Sequence, residues 1–455
     1  MINLTEKKLT KEELLKKAEQ PSKEAMKLHP YYQGKMQTVP KAAVWGFDAF
    51  SVWYTPGVAK PCLAIKENKN EVYRHTNKGN MIAVVSDGTR VLGLGDIGPE
   101  AAMPVMDGKS LLFKYLGGVD AVPICLDTKD PEKIIQTVKL IQPSFGGINL
   151  EDISKPKCYA VLETLRKDPE IQIPVFHDDA QGTATVILAG ILGALKFVGK
   201  SLDQVKIAML GVGSANTRTA YLFEAAGANL KNVVMCDSKG IITKDRPDIV
   251  EQKDYDFFKY DLAQKTNGEG LSGDFGVATK GADIIISASK SQPGTIKKEW
   301  ISHMASDSIV FACANPLPEI WPWDAKEAGA KIVGTGRSDF PNQVNNSLGF
   351  PAIFRGALDV HARTISDEMC VAAAHALSAV AEENGLKQDY ILPKMDQWKV
   401  YPKEATAVGM KAIEQKIARI EMEEKELYKM AEEKIKYARD LTKLLMDEKF
   451  IKPKI

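Results

Sequence analysis

The strongest constraint on the fold is a regular alternation of short apolar runs with segments of helical periodicity. The apolar runs have the length and β-branched composition of strands, and turn residues separate them from the helical patterns. Nine runs are predicted as strands: Met81–Ser86, Ala121–Leu126, Ser144–Leu150, Ile173–Phe176, Val205–Leu210, Val233–Cys236, Ile284–Ser287, Ile309–Ala312 and Lys331–Gly334. Val91–Leu94 is a further short apolar run in this series. Such alternation predicts βαβ units, and therefore an α/β protein with mostly parallel sheets.

The length of the chain, 455 residues, predicts two or three domains. We expect an N-terminal α/β domain over residues 1–180 and a Rossmann-type domain over residues 181–350. A C-terminal helical region over residues 351–455 should pack back on the first domain. Within it, the charged stretch Glu404–Met446 has apolar residues near helical spacing and predicts one long helix or a helix pair.

Composition excludes several classes of function. With 60 basic and 59 acidic residues the net charge is +1, which gives no field to attract nucleic acid or an anionic membrane. Residues 1–8 lack the apolar core of a signal peptide, and the longest apolar-rich run, Ala184–Val198, reads as a buried helix. The six cysteines are scattered without a Cys-x-x-Cys spacing, as expected in a reducing compartment. We therefore expect a cytoplasmic protein.

A dinucleotide fingerprint opens the second unit. The strand Val205–Leu210 leads into Gly211-Val212-Gly213 and then a helical pattern beginning with Ser214 and Ala215. In that context backbone N–H groups and the helix N-terminus can meet a pyrophosphate. Asp237 ends the next strand, where an acid contacts the ribose of NAD, yet Lys239 could meet the 2′-phosphate of NADP. Asn216 replaces the usual third small residue, and we expect slightly looser helix–strand packing there.

Two acidic pairs follow strand-like runs of the first unit. Glu151-Asp152 comes after Ser144–Leu150, and Asp178-Asp179 comes after Ile173–Phe176 and His177. The carboxyl ends of strands in an open α/β sheet face the ligand crevice. Carboxylates brought together there would repel one another unless they shared a hard divalent cation, for which oxygen is the preferred ligand. Solvated turn acids are the alternative for either pair alone, but two pairs favour a metal site.

Longer motifs resemble those of the malic enzymes, the family that oxidatively decarboxylates malate to pyruvate. The similarity covers most of the chain and suggests the compact form found in bacteria and some protists. The motifs are Tyr54-Thr55-Pro56-Gly57-Val58, Ser86-Asp87-Gly88, Gly93 to Gly98, Gly108-Lys109, Asn149 to Asp152, His177 to Thr183, Ala314-Asn315-Pro316, Pro341 to Asn346 and Phe350 to Val360. The resemblance implies an NAD(P)-dependent decarboxylating malate dehydrogenase, with substrate and metal bound by the N-terminal domain and the dinucleotide by the Rossmann domain.

The resemblance also implies roles for individual residues. Lys109 would be the base that takes the malate C2 hydroxyl proton, and Tyr54 would protonate enolpyruvate at C3. Glu151, Asp152 and Asp179 would bind Mg²⁺ or Mn²⁺, with Asp178 as an orienting group beside them. The division between Asp178 and Asp179 could be reversed. Because a free lysine is a poor base near neutral pH, we expect burial and the metal to lower the pKa of Lys109.

Three more residues and the assembly complete these expectations. Asn315 and Asn345 match positions near the nicotinamide and the substrate carboxylate, although asparagine is also a common turn residue. Arg90 sits where larger malic enzymes place a carboxylate-binding arginine, and a bidentate cation suits a dicarboxylate. Malic enzymes associate through their N-terminal region, so we expect a homodimer or a higher homo-oligomer, with apolar stripes on residues 11–26 and on the terminal helices.

Three other functions remain open at this point. A malolactic enzyme would share nearly all these residues and release lactate. A metal-independent dehydrogenase would not need the acidic pairs. A catalytically inactive dinucleotide-binding homologue would lose catalytic positions, yet Tyr54, Lys109, Glu151, Asp152 and Asp179 are all present.

Overall fold

A computed structural model describes residues 11–455, with side chains from residue 19 onward. The expectation about residues 1–8 lies outside this range, and so do the side chains of residues 11–18. The first part of the chain contains β1 (Met81–Ser86), β2 (Asp120–Cys125), β3 (Gly147–Leu150) and β4 (Val175–His177), with α1 (Lys11–Tyr32), α2 (Ala49–Trp53), α3 (Ala59–Glu67), α4 (Val72–His75), α5 (Pro99–Gly117), α6 (Pro131–Ile141) and α7 (Lys157–Lys167).

The four strands form one parallel sheet in the order β2-β1-β3-β4. This order places β1 and β3 side by side in its centre, and β1 is buried almost throughout. Helix α5 begins with a proline in its first turn, where the missing N–H would have no partner inside the helix. In α6, Asp130 accepts a hydrogen bond from the Glu132 N–H at 3.0 Å and caps the helix.

The second part forms a six-stranded sheet in the order β10-β9-β8-β5-β6-β7. All neighbouring strands are parallel except the short β6–β7 pair, which is antiparallel. The strands are β5 (Ile207–Leu210), β6 (Val233–Asp237), β7 (Gly240–Ile241), β8 (Ile284–Ser287), β9 (Ile309–Ala312) and β10 (Ile332–Thr335). The helices are α8 (Thr183–Val198), α9 (Ser214–Ala225), α10 (Pro247–Glu251), α11 (Phe257–Lys265), α12 (Phe275–Ala278), α13 (Lys298–Ser302) and α14 (Pro322–Glu327).

The remainder is helical: α15 (Phe350–Asp359), α16 (Asp367–Glu383), α17 (Val400–Glu414) and α18 (Glu424–Asp447). Helix α15 is buried along its whole length and packs on α5, where the ring of Phe113 contacts Phe350 and Phe354. Helix α16 packs against α8, and α18 packs against α5. The charged C-terminal stretch is therefore two helices, which is one of the two predicted forms. The α/β architecture with a Rossmann-like domain and a helical C-terminal region is confirmed.

Two local expectations were wrong. Val91–Leu94 forms no strand, because the chain turns there and makes only an isolated antiparallel bridge from Val91 to Gly95. Asn216 does not loosen the glycine turn. Its buried side-chain amide donates hydrogen bonds to the carbonyl oxygens of Leu210 at 2.9 Å and Gly211 at 3.0 Å, so it ties α9 to the end of β5.

Among the described residues, one helical segment, Asp178–Val198, has the length and hydropathy of a membrane span. However, 72% of its most apolar stretch is buried inside the protein. It packs against α9 and α16 in the core, with Ala184, Ile187 and Ile191 fully buried. The sequence-based interpretation of Ala184–Val198 as a buried helix agrees with this packing.

Candidate active site

The acidic pairs of the sequence meet at the carboxyl ends of neighbouring strands. Glu151 and Asp152 directly follow β3, and Asp178 and Asp179 directly follow β4. Because β3 and β4 are parallel neighbours, both pairs emerge at the same edge of the sheet. Oxygen atoms of Glu151, Asp152 and Asp179 all lie within 4.8 Å of one another. The structure thus brings together the three residues that the sequence proposes as metal ligands.

All three carboxyl groups have a raised pKa. Burial is the main cause and lifts the pKa of Glu151 to about 7, although Lys109 opposes it. Burial, together with Asp179 and Glu151, raises the pKa of Asp152 to about 9. Burial also raises the pKa of Asp179 to about 6, while the cations Lys109 and Arg90 act against it. Asp152 Oδ2 is buried without a hydrogen-bond partner within the described part of the chain.

A divalent cation fits these residues. Carboxylates held together in a buried site cost free energy unless a cation compensates their charge. The buried Asp152 Oδ2, which lacks a hydrogen-bond partner among the described residues, is available to coordinate such a cation. The donor set consists of oxygen atoms alone, which suits Mg²⁺ or Mn²⁺ and does not suit a metal that prefers thiolate ligands. Two contacts keep the set in place: the Asp152 N–H donates to Asp179 Oδ2 at 2.8 Å, and Asn149 Nδ2 donates to Glu151 Oε2 at 2.8 Å.

Lys109 joins this carboxylate group from helix α5. Its Nζ lies 2.5 Å from Asp178 Oδ2 and 2.9 Å from Glu151 Oε1, and only 7% of the residue is exposed. The ammonium also lies 4.2 Å from the centroid of the Phe350 ring. Burial alone would lower the pKa of Lys109, but Asp178 and Glu151 outweigh burial and raise the pKa above its usual value. Burial thus acts in the expected direction but is outweighed by the two carboxylates, and the expected contribution of the metal stays a prediction.

Asp178 is fixed by three neighbours. Its Oδ2 accepts hydrogen bonds from Lys109 and, at 2.6 Å, from Asn346 Nδ2. Gly182 lies against its other oxygen: a Cβ there would stand 1.8 Å from Asp178 Oδ1, so only glycine leaves the space. Burial raises the pKa of Asp178 to about 7, with Lys109 acting in the opposite direction. Asp178 touches Lys109 and lies outside the group of three carboxylates that share close oxygen atoms.

Three predicted site residues lie on loops around this centre. Arg90 is exposed, and its guanidinium donates to the Leu92 carbonyl at 2.7 Å. Asn345 Oδ1 accepts from the Ser347 N–H at 3.0 Å and caps a short 3₁₀ turn, which presents the neighbouring Asn346 to Asp178. Asn315 lies next to the Arg90 loop, since a Cβ on Gly93 would stand 3.1 Å from the Asn315 carbonyl oxygen.

Tyr54 is placed differently. Its side chain is 71% exposed, and its hydroxyl makes no hydrogen bond among the residues that the structure describes. It belongs to a run of exposed apolar and aromatic side chains, which we call the N-terminal apolar surface: Val39, Val44, Trp45, Phe47, Phe50, Val52, Trp53, Tyr54, Val58 and Leu63. The structure of one chain therefore does not join Tyr54 to Lys109.

The glycine turn of the second sheet has the shape that the fingerprint predicts. Gly211 has φ +97°, and a Cβ there would stand 2.7 Å from the Ala288 carbonyl oxygen, so the turn requires glycine. A Cβ on Gly213 would meet nothing within 4 Å, which leaves that side of the turn open. Ser214 and Ala215 begin α9, and the first N–H groups of a helix have no acceptor within the helix and can meet an anion.

Asp237 lies at the end of β6, and each of its two carboxylate oxygens already has two donor contacts. Its Oδ1 accepts from Arg246 at 2.9 Å and from the Lys239 N–H at 2.8 Å, and its Oδ2 contacts Arg246 and, at 2.6 Å, Lys259. Although burial acts against it, these partners lower the pKa of Asp237 to about 2. The Lys239 ammonium is mostly exposed and lies 3.0 Å from Asp248. The sequence identified Asp237 and Lys239 but not Arg246 or Lys259.

Sequence reasoning missed two contributors to the site itself. Asn346 and Asn149 both lie inside motifs that carry the family resemblance, but neither was given a role. A signal existed for Asn149, because an amide inside an otherwise apolar buried strand requires a partner. Asn346 had no such signal, because its contact with Asp178 joins residues far apart in the chain.

The chain is similar to known proteins over most of its length. The family description "Malic enzyme, N-terminal domain" matches residues 33–166, and "Malic enzyme, NAD binding domain" matches residues 180–415. The chain is 48% identical over 404 residues to a bifunctional malic/malolactic enzyme of Bacillus subtilis, covering 89% of this chain and 96% of that protein.

Two further comparisons agree. The chain is 49% identical over 386 residues to an NAD-dependent malic enzyme of Geobacillus stearothermophilus, covering 85% of this chain and 78% of that protein. A crystal structure of Entamoeba histolytica malic enzyme matches with a TM-score of 0.95 and 46% identity, covering 98% of this chain and 93% of that one. With both family descriptions matched in order along one chain, this protein belongs to the malic enzyme family.

Proposed function

We propose that this malic enzyme oxidises malate with NAD⁺ or NADP⁺ and decarboxylates the product to pyruvate and CO₂. The observation that carries the proposal is the position of Lys109. Its ammonium contacts Asp178 and also Glu151, which with Asp152 and Asp179 forms the group that we call the carboxylate trio. Oxidation of a 2-hydroxy acid requires a base at the hydroxyl, a hydride acceptor and a Lewis acid. Lys109 can serve as the base. The glycine turn can bind the dinucleotide that accepts the hydride, and the carboxylate trio can bind the metal ion that acts as the Lewis acid.

Lys109 acts as the base for the C2 hydroxyl proton. In its neutral form the amine accepts that proton, and the ammonium so formed is held by Asp178 Oδ2 at 2.5 Å. Asn346 keeps Asp178 in this orientation by donating to the same oxygen. The Phe350 ring beside the ammonium excludes water from one side and favours the cation.

Glu151, Asp152 and Asp179 are proposed to bind Mg²⁺ or Mn²⁺. When bound, such a cation supplies Lewis-acid polarisation of the substrate oxygens and compensates the charge of Glu151 that otherwise keeps Lys109 protonated. Asn149 and the Asp152 N–H orient two of the three ligands, as outer contacts of metal ligands commonly do. Arg90 is proposed to bind a malate carboxylate, since its charge already acts on Asp179.

We propose that the protein is at least a homodimer. The N-terminal apolar surface exposes several aromatic side chains, including Phe47 at 91% and Trp45 at 62%, and such a patch marks an interaction surface. Tyr54, proposed as the proton donor to enolpyruvate C3, lies within it. A dimer-sized mass in light scattering at micromolar concentration tests this part. A fully active monomer would remove it.

Both dinucleotides are proposed to serve as hydride acceptor. A ribose 2′-hydroxyl needs a free lone pair on Asp237, but both oxygens of that carboxylate already accept two contacts each. The cations Arg246, Lys259 and Lys239 compensate the charge that would repel a 2′-phosphate. The Asn315 loop, next to the Arg90 loop, is proposed to lie near the nicotinamide.

A malolactic activity is the second candidate. The observation that favours it is the 48% identity to a protein described as a bifunctional malic/malolactic enzyme. Such an enzyme would use the same base and carboxylates but return the hydride to the keto acid before release.

Initial rates with malate and Mn²⁺ test the proposed function directly. Formation of NADH or NADPH together with one equivalent of pyruvate supports it, and rates with the two dinucleotides within about tenfold of each other support the weak selectivity at Asp237. Lactate without reduced dinucleotide would establish the malolactic alternative instead. Full activity in excess chelator would favour a metal-independent dehydrogenase, and no turnover with any substrate would favour an inactive homologue.

Two coarser features complete the proposal. We propose the domain division 1–180, 181–350 and 351–455, supported by one sheet in each of the first two parts and by helices in the third. A cytoplasmic location is supported by six free cysteines, three of them buried among core side chains.

A further inference from the structure

Lys155 connects the two sheets of the molecule. It lies three residues after Asp152, in the segment between the carboxylate trio and helix α7. Its Nζ contacts three acceptors: the Val212 carbonyl at 2.9 Å, Thr217 Oγ1 at 3.0 Å and Asp256 Oδ2 at 3.2 Å. An ammonium has three N–H donors, so all of them are used. All three acceptors belong to the dinucleotide part of the chain, and the Lys155 side chain is only 10% exposed.

The contact with Val212 fixes the glycine turn. Val212 lies between Gly211 and Gly213, and its carbonyl shares one planar peptide with the Gly213 N–H. In a trans peptide the C=O and N–H point in opposite directions. By holding the carbonyl, Lys155 orients the Gly213 N–H away from its own ammonium, and on the open side of the turn a Cβ on Gly213 would meet no atom within 4 Å. That open side is where an anionic pyrophosphate can approach.

Neighbouring contacts make the connection stiff at both ends. On the dinucleotide side, the Tyr159 hydroxyl donates to the Ser214 carbonyl at 2.8 Å. On the carboxylate side, the Ser154 N–H donates to Thr89 Oγ1 at 3.0 Å, and the Asp152 carbonyl accepts from the Arg90 N–H at 2.9 Å. The segment from Asp152 to Tyr159 is therefore attached by hydrogen bonds to the Thr89–Arg90 loop at one end and to the glycine turn at the other.

We propose that Lys155 is a positioning residue that couples the carboxylate trio to the glycine turn, so that a divalent cation and a dinucleotide each strengthen the binding of the other. This inference rests on the proposed function, because it assumes that both ligands bind. A cation bound by Asp152 restricts the motion of the residues that follow Asp152. Through its hydrogen bond to the Val212 carbonyl, Lys155 then restricts the conformations of the glycine turn. The dinucleotide then meets a turn that is already in its binding conformation, which lowers the entropy cost of binding.

The test measures binding without turnover. The dissociation constant of NADH is determined by fluorescence with and without saturating Mn²⁺, and that of Mn²⁺ by EPR with and without NADH. By linkage the two experiments must give the same coupling factor, and we expect about tenfold in the wild type. In Lys155→Met, which keeps the length of the side chain but not its donors, the factor should fall below about twofold.

Lys157→Met is the matched control. Lys157, at the start of α7, is another lysine with a mostly buried side chain, but within the described residues its ammonium pairs with Asp87, which directly follows β1. Its loss should leave the coupling factor at the wild-type value. Should Lys155→Met fold poorly, Thr217→Val removes a single acceptor and should lower the factor partially.

The outcomes distinguish a failure of the role proposed for Lys155 from a failure of the proposed function. If both ligands bind to the wild type without coupling, or if Lys155→Met keeps the wild-type factor, the role of Lys155 is overturned while the proposed function survives. Equal loss in Lys157→Met would also overturn it, since the effect would then be a general one of the segment. If neither ligand binds to the wild type, the proposed function itself fails.

Discussion

The ammonium of Lys109 lies 2.9 Å from Glu151 Oε1, so the proposed base and a proposed metal ligand form one buried ion pair. Glu151 and Asp178 raise the pKa of the lysine above its usual value, because their charges outweigh the effect of burial. A charged lysine cannot accept a proton. The same geometry therefore connects metal binding with the protonation state of the base.

Metal binding should stabilise the fold. Because the three carboxyl groups are close together and buried, a cation that binds only the folded state raises the free energy of unfolding, by about 2.7 kcal/mol at a concentration one hundred times its Kd. Mn²⁺ should thus raise the Tm of the wild type in a thermal scan. Asp179→Ala should remain folded, lose most turnover and show little of this increase. An equal Tm increase in the variant would place the cation elsewhere.

The roles of Lys109 and Tyr54 should separate in partial reactions. Lys109→Ala should abolish hydride transfer from malate, since no other amine takes its place between Asp178 and Glu151. Tyr54→Phe should spare decarboxylation of oxaloacetate more than protonation of enolpyruvate. Stopped-flow measurement of reduced dinucleotide, together with assays on oxaloacetate, tells the two steps apart. Equal loss of every partial reaction in both variants would contradict this division.

Asn346→Ala should lower kcat without changing the fold. The substitution removes the 2.6 Å hydrogen bond that orients Asp178, and loss of such an outer contact commonly costs about 10–100-fold in activity. The dinucleotide KM should change little, because Asn346 does not contact the glycine turn. A wild-type kcat in Asn346→Ala would remove Asn346 from the site.

Arg90→Lys should lower kcat/KM for malate by a large factor. An ammonium cannot reproduce the planar fork that binds a carboxylate with two parallel hydrogen bonds. The loss should appear mainly in the malate KM, whereas the dinucleotide KM should hold. Steady-state kinetics with each ligand varied in turn provide the measurement. Kinetics equal to those of the wild type would leave the Leu92 carbonyl as the only partner that Arg90 needs.

Glu404 makes stability depend on pH. It is fully buried in α17, and neither carboxyl oxygen has a hydrogen-bond partner among the described residues, so burial holds its pKa well above the usual range. The folded state then keeps a proton that the unfolded state releases. Its contribution to stability is present below the unfolded pKa and is lost as pH rises toward the folded pKa, by roughly 1.4 kcal/mol per pH unit.

Glu404→Gln isolates this effect. The amide has nearly the same shape but does not titrate, so its Tm relative to the wild type should increase from pH 5 to pH 8. Thermal denaturation of both proteins at several pH values measures the difference, in which the other titrating groups cancel. A Tm difference independent of pH would show that Glu404 is ionised in the folded protein.

The sequence by itself determined the order of the elements and the family. The runs Met81–Ser86, Ile284–Ser287 and Ile309–Ala312 became strands with unchanged bounds, because β-branched runs between turns favour strands locally. Adjacent acids after β3 and β4 could be placed at one sheet edge, since parallel strands end on the same side. These are properties of short segments.

Only the tertiary structure decided which distant groups touch. Asn346 reaches Asp178, Arg246 and Lys259 fill the lone pairs of Asp237, and Lys155 enters the dinucleotide part. The pKa of Lys109 is another case, because its burial was foreseeable whereas the two carboxylates that oppose the effect of burial come from other elements. A residue's charge state and contacts depend on what the fold places around it, and local sequence does not carry that information.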